Sequence, residues 1–175
     1  MVGKAQRGEI TMFEVSGDVI DSRDIIERLE TLQEERDALE AEVDETVEAI
    51  NDWEEPEEPN ATTDKEFDLL TQAKDSAVFN LKEWDKDFGE ELKALNDLEE
   101  DASQYASDWR HGESLIADDH FVEWCQDFAS DIGAYDNRKS KWPTNCIDWD
   151  KAASELQYDY TEVYYNGNKY WIRNS

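Results

Sequence analysis

The chain has 175 residues, 46 of them acidic against 17 basic, for a formal net charge of -29 and a pI near 4.1. A surface this negative repels DNA, RNA and anionic lipid, which excludes a conventional nucleic-acid binder or peripheral membrane protein and points to basic partners. Low hydropathy with high charge is also the composition of disordered chains, but 7 Trp, 7 Tyr and 6 Phe are too many aromatics for one.

Residues 1–20 hold Gly3, Gly8 and Gly17 with no sustained period, and read as a flexible tail. The opening MVGKAQRGEITMFEV has no continuous apolar core of the signal-peptide kind, and no run approaches the roughly 18 apolar residues of a membrane span, so a cytosolic protein is expected. Cys125 and Cys146 form no CxxC pair and read as reduced thiols in that compartment.

A helix is predicted to start at Asp21 or Ser22 as N-cap, with Asp24 favouring its positive end. Alternating steps of three and four then link Ile25, Leu29, Leu32, Arg36, Leu39, Val43, Thr46, Ile50 and Trp53 into a heptad stripe that needs a partner helix. Pro56 and Pro59 stop it, and Thr63 before Asp64 and Glu66 offers a new cap. The same spacing resumes through Phe67, Leu70, Lys74, Ala77, Leu81, Trp84, Phe88, Glu91, Leu95, Leu98, Ala102, Tyr105 and Trp109, passing Gly89 without a break. Two heptad segments joined by a short Pro-containing loop predict an antiparallel helical hairpin over residues 21–110. A homodimer through the same stripes is the competing arrangement.

Residues 111–175 read as a compact αα-ββ head. After a break at Gly112, a helix restarting near Asp118 or Asp119 puts Phe121, Trp124, Cys125, Phe128, Ala129 and Ile132 on one face and ends at Gly133. Ile147, Trp149, Ala152, Ala153 and Leu156 fit a second short helix, capped at Asp148. Alternating β-prone residues around Asn166-Gly167 then predict a β-hairpin. The expected fold class is mainly α: a long coiled-coil-like hairpin followed by a small α+β head ending in that β-hairpin.

Catalytic patterns are missing. There is no Gly-rich phosphate loop, no GxSxG and no Cys with a convincing His partner. His111, His120, Cys125 and Cys146 match no zinc spacing, and the adjacent Asp118 and Asp119 are a pairing that 46 acidic residues produce by chance. The reading is therefore no enzyme, no cofactor and no metal. Arg138, Lys139 and Lys141 read as a solvated loop. Trp142, Trp149, Tyr158, Tyr160, Tyr164, Tyr165, Tyr170 and Trp171 read mostly as the core of the head, with Tyr164, Tyr165 and Tyr170 as candidates for aromatic docking.

Charge is the sharper clue. Residues 21–58 hold 17 acidic and 3 basic side chains (net -14), residues 64–110 hold 14 and 6 (net -8), and residues 111–175 hold 12 and 6 (net -6). At about 1.5 Å of rise per residue the two arms carry about one net charge per 3 Å of rod, roughly half the linear density of duplex DNA. The candidate partner-binding carboxylates are Glu34, Glu35, Glu42, Glu45 and Glu48 on the first arm and Asp97, Glu99, Glu100 and Asp101 on the second. Solubility of a coiled coil explains part of this charge, and explains less well why so few Lys balance it.

The segments WPTNCIDWDKAASELQYDYTEVYYNGNKYWIR, GESLIADDHFVEWCQDFASDIGA and DVIDSRDIIERLETLQEERD together resemble small acidic phage-encoded proteins of the antirestriction-like group. IDWDKAASEL is also similar to the closing segment of ArdA antirestriction proteins. The first likeness covers most of the chain outside residues 50–85, the second only the end. The resemblance implies a non-enzymatic antagonist of host defence in the host cytoplasm, whose carboxylates imitate DNA in the basic groove of a restriction enzyme or CRISPR effector. The long heptad arms depart from the ArdA pattern. An acidic coiled-coil adaptor binding through its aromatic head is the alternative.

Overall fold

The computed structural model of the chain describes residues 17–54, 61–134, 142 and 144–175. Helix α1 (Ser22–Asn51) and helix α2 (Ala61–Ala102) form the predicted antiparallel hairpin within one chain. Contacts across it tie residues near either end. Arg28 donates to both Glu91 carboxylate oxygens at 2.8 and 2.9 Å, Arg36 to Asp85 at 3.0 Å, and Trp53 meets Phe67 at 4.9 Å between ring centroids. The N-cap of α1 is Asp21, which accepts from the Arg23 amide. Ser22 lies inside the helix and is fully buried. Its Oγ donates to the Trp109 carbonyl at 2.6 Å and accepts from the Glu113 amide at 2.7 Å, clamping the start of α1 to a distant turn.

Two helix boundaries differ from the sequence expectation. α2 begins at Ala61, so the backbone of Thr63 already lies within the helix; Pro56 and Pro59 lie outside the described residues. α2 also ends at Ala102. The chain turns there, and Ala106 and Trp109 reach the core from the turn and from the one-turn helix α3 (Trp109–Gly112). Gly112 leaves that helix at φ +110, where a Cβ would stand 2.9 Å from Arg23 Nε.

A four-stranded antiparallel sheet follows, in the order β1-β2-β4-β3: β1 (Val19–Asp21), β2 (Ser114–Ala117), β3 (Tyr160–Tyr165) and β4 (Asn168–Arg173). β3 and β4 are the predicted hairpin, turning through Asn166 and Gly167, both at positive φ as a tight two-residue turn requires. β1 and β2 were not expected. Val19 and Ile20 fall in the segment read as a tail, and Ser114–Ala117 in the break before the next helix; β1 pairs with β2, and β2 in turn with β4. Helix α4 (Phe121–Asp131) consequently starts two or three residues after Asp118 or Asp119, and Ile132, placed by periodicity on its buried face, is its exposed C-cap. Helix α5 (Trp149–Leu156) is capped by Asp148 as expected, its carboxylate accepting from the Lys151 amide at 3.1 Å.

Strand alternation sorts the sheet's side chains into two cores. Ile20, Leu115, Val163, Tyr165, Tyr170 and Ile172 pack on the base of the helical hairpin, with Ile25, Leu29, Leu32, Leu95, Leu98 and Trp109. Ile116 and Tyr160 point the other way, into a core built with Phe121 and Cys125 from α4 and Ala153 from α5, against which Trp171 and Trp149 also pack. The layers are therefore hairpin base, sheet, and α4 with α5. The first of these cores draws on residues from both sides of position 111. No helix among the described residues is long and apolar enough to cross a membrane.

Candidate functional site

The arginines of α1 all face carboxylates, whereas Lys65, Lys82, Lys86 and Lys93 of α2 are exposed. Every arginine of α1 is engaged: Arg23 with Asp21, Arg28 with Glu91, and Arg36 with both Glu40 at 2.7 Å and Asp85 at 3.0 Å. The Glu91 carboxylate holds the Arg28 guanidinium above its ordinary pKa, and Asp85 does the same for Arg36. Beyond Arg36, α1 carries Asp37, Glu40, Glu42, Asp44, Glu45 and Glu48 with no Lys or Arg. Of these, Glu40 has an ion pair among the described residues.

Of the nine candidate carboxylates, Glu34, Glu42, Glu45, Glu48, Asp97 and Glu100 are exposed, and Glu35, Glu99 and Asp101 are half-buried. Glu35 has an internal task, accepting from the Trp84 indole Nε1 at 3.1 Å across the hairpin. The structure does not gather the nine into one patch. In an antiparallel hairpin that pairs residue 28 with 91 and 36 with 85, Asp97–Asp101 stand level with the start of α1, about 30 Å along the rod from Glu45. There, Glu99 and Glu100 share a cleft of about 600 Å³ with Ser103, Ser107, Arg110 and His111.

The aromatic docking candidates divide. Tyr164 is 58% exposed, but Tyr165 and Tyr170 are each 4% exposed and belong to the core on the hairpin base. The reason is register: Tyr165 and Tyr170 have the parity of Val163 and Ile172, which face α1 and α2, and Tyr164 has the opposite parity. Burial pushes both phenols up from their usual range. Trp142 and Tyr158, at 81% and 83%, are the more accessible rings.

The four residues weighed as metal ligands do not converge. Cys125 is buried beside Phe121, and burial raises its thiol; Cys146 and His111 are exposed, and His120 Nδ1 lies 3.5 Å from Glu123. Among the described residues no group of three or more His, Cys, Asp or Glu side chains is placed to hold a metal ion. Asp118 accepts from Lys169 Nζ at 2.8 Å and Trp171 Nε1 at 2.7 Å, and these donors, Lys169 first, hold its carboxyl below the ordinary range.

The residue that sequence reasoning missed is Phe79 on α2, which lies off the heptad stripe and is 62% exposed. The signal was a large apolar side chain between stripe positions Ala77 and Leu81, off the heptad register. No protein-family model matches the chain, and no curated protein or solved structure matches it.

Proposed function

We propose that this chain is a non-enzymatic phage inhibitor that acts in the host cytoplasm as an acidic DNA mimic, occupying the basic nucleic-acid-binding groove of a host defence nuclease or CRISPR effector. The observation that carries this reading is the distal part of α1, six carboxylates over residues 37–51 with no Lys or Arg. Asp37 and Glu40, Glu40 and Asp44, Glu42 and Glu45, Asp44 and Glu48, and Glu45 and Glu48 stand three or four apart. Such like-charge pairs each cost a helix about 0.2 to 0.5 kcal/mol. Solubility does not require that cost, since interspersed Lys serves it equally well. A phosphate-binding groove does require it.

The test is competition. With a target captured from host lysate, changing Glu34, Glu42, Glu45 and Glu48 to Gln, and separately Asp97, Glu99, Glu100 and Asp101 to their amides, should weaken inhibition by orders of magnitude for at least one set. Single changes should matter little, because an exposed ion pair is worth about 0 to 1 kcal/mol. Added salt should release the wild-type protein and let DNA return. The exposed Tyr158 and Tyr164 favour a second reading, an acidic adaptor that docks through its aromatic head. If both amide sets inhibit like wild type across a salt series while Tyr158→Ala with Tyr164→Ala does not, the adaptor replaces the mimic.

A further inference from the structure

The distal hairpin carries an open apolar groove inside its acidic surface. Phe79 lines a depression of about 400 Å³ with Leu39 of α1 and with Trp84 and Phe88 of α2. A second depression of about 600 Å³ continues from Phe79 and Asn80 along α2 towards Asp68. Glu83 and Asp87 line the first and Asp68 and Asp75 the second; Glu83 pairs with Lys86 at 3.7 Å and Asp75 with Lys74 at 3.6 Å, and no Lys or Arg lines either depression among the described residues. A Phe79 ring that is 62% exposed between carboxylates is a poor way to stay soluble. It is a good way to hold an apolar side chain that arrives among cations.

We infer that this groove is the docking site for a basic amphipathic segment of a partner protein, which seats a large apolar side chain against Phe79 and sets flanking Lys or Arg on Asp68 and Asp87. Charge chooses the occupant. An apolar groove alone would also accept a second copy of this chain, but that copy brings its own net charge of -29 to the same surface. A cationic helix is drawn to the groove by the same field that repels the copy. The mode is a helix laid in a groove and read through apolar anchors at helical spacing. The inference rests on the proposed function in needing a basic partner, and adds an apolar anchor that imitation of phosphate does not require.

The experiment uses the full chain and two synthetic peptides: an amphipathic helix built of Leu and Lys, and a control in which every Leu is Ser. Calorimetric titration at physiological salt should find the Leu/Lys peptide bound more tightly. Phe79→Ala should weaken that peptide at least about tenfold and leave the control unchanged, while Phe79→Leu should retain most of the binding. The Trp84 indole N–H resonance should move with the Leu/Lys peptide. Equal binding of the Leu/Lys peptide to wild type and Phe79→Ala overturns the inference, as does a still Trp84 signal, or a wild-type dimer in sedimentation that Phe79→Ala dissociates. The two readings fail separately. If the amide sets abolish inhibition while Phe79→Ala changes neither peptide binding nor inhibition, the mimic stands and the groove falls. If Phe79→Ala weakens both and the amide sets inhibit like wild type, the groove stands without the mimic.

Discussion

The two halves of the helical hairpin share one heptad pattern and reach different degrees of burial. At the base, Ile25, Leu29, Leu32, Leu95 and Leu98 are at most 2% exposed. Beyond Arg36 the stripe positions Leu39, Val43, Thr46 and Ile50 are half-buried, and on α2 Phe67 is exposed. The cause is the third layer. Sheet residues Leu115, Val163, Tyr165 and Ile172 close the base, whereas the distal half is two helices whose seam has open flanks. Periodicity decides which residues meet; in the distal half it buries Ala77 and Trp84 of α2, but the large stripe side chains of α1 leave water fully only where the sheet covers them. The distal half thus keeps both its carboxylates and its groove available to a partner.

Burying a charge should separate the halves most strongly. Leu32→Asp places an unpaired carboxylate in a site that is 0% exposed. The cost of several kcal/mol is comparable with the whole stability of a domain, roughly 5 to 15 kcal/mol. The expected result is loss of the cooperative thermal transition by circular dichroism. Leu39→Asp, at a half-buried position, should fold and melt only modestly earlier. Equal melting of the two variants would erase the distinction between base and tip.

Alkaline titration probes the sheet end, where the buried tyrosines lie. Burial pushes the Tyr160 phenol up to about 12, and raises Tyr165 and Tyr170 as well. An unfolded chain releases the same protons near pH 10. The folded-state pKa is the higher one, so stability is full below about pH 10 and is lost as the pH climbs towards 12. A difference of about two units for Tyr160 corresponds to at most about 2.7 kcal/mol. Urea midpoints should fall across that window, and Tyr160→Phe should fall less steeply. The distal half contains no tyrosine, so the loss should appear as failure of the sheet end, at both of its cores.

What could be read from the sequence was local. The stripe on α1 and α2, the caps Asp21 and Asp148, and the Asn166-Gly167 turn each depend on residues a few positions apart. What escaped was non-local. β1 has three residues and β2 four, too short for a period, and they exist because Val19 pairs with Ile116 and Ile20 with Leu115, far away in sequence. That unforeseen pairing sets the sheet that swallows Tyr165 and Tyr170. The candidate carboxylates were legible as charge, but the use of Glu35 by Trp84 was not, because a rim acceptor and a free acid look the same in sequence.

The smallest expected effect is the most direct test of what the distal charge is for. Changing Glu42, Glu45 and Glu48 together to Gln removes three like-charge pairs from α1: Glu42 with Glu45, Glu45 with Glu48, and Asp44 with Glu48. At about 0.2 to 0.5 kcal/mol each, the variant should be more stable than wild type by about 1 kcal/mol at low salt. Ions shorten the Debye length from about 10 Å at 0.1 M to about 3 Å at 1 M, so the gain should shrink as salt is added. All three residues are exposed, so the exchange empties no cavity and leaves no buried donor unpaired. Denaturant midpoints at two ionic strengths measure the difference. A variant that gains stability but loses inhibition would show charge kept against the interest of the fold. A variant that loses stability would mean that these carboxylates support the distal hairpin, and the contrast between a structural base and a surface reserved for a partner would have to be redrawn.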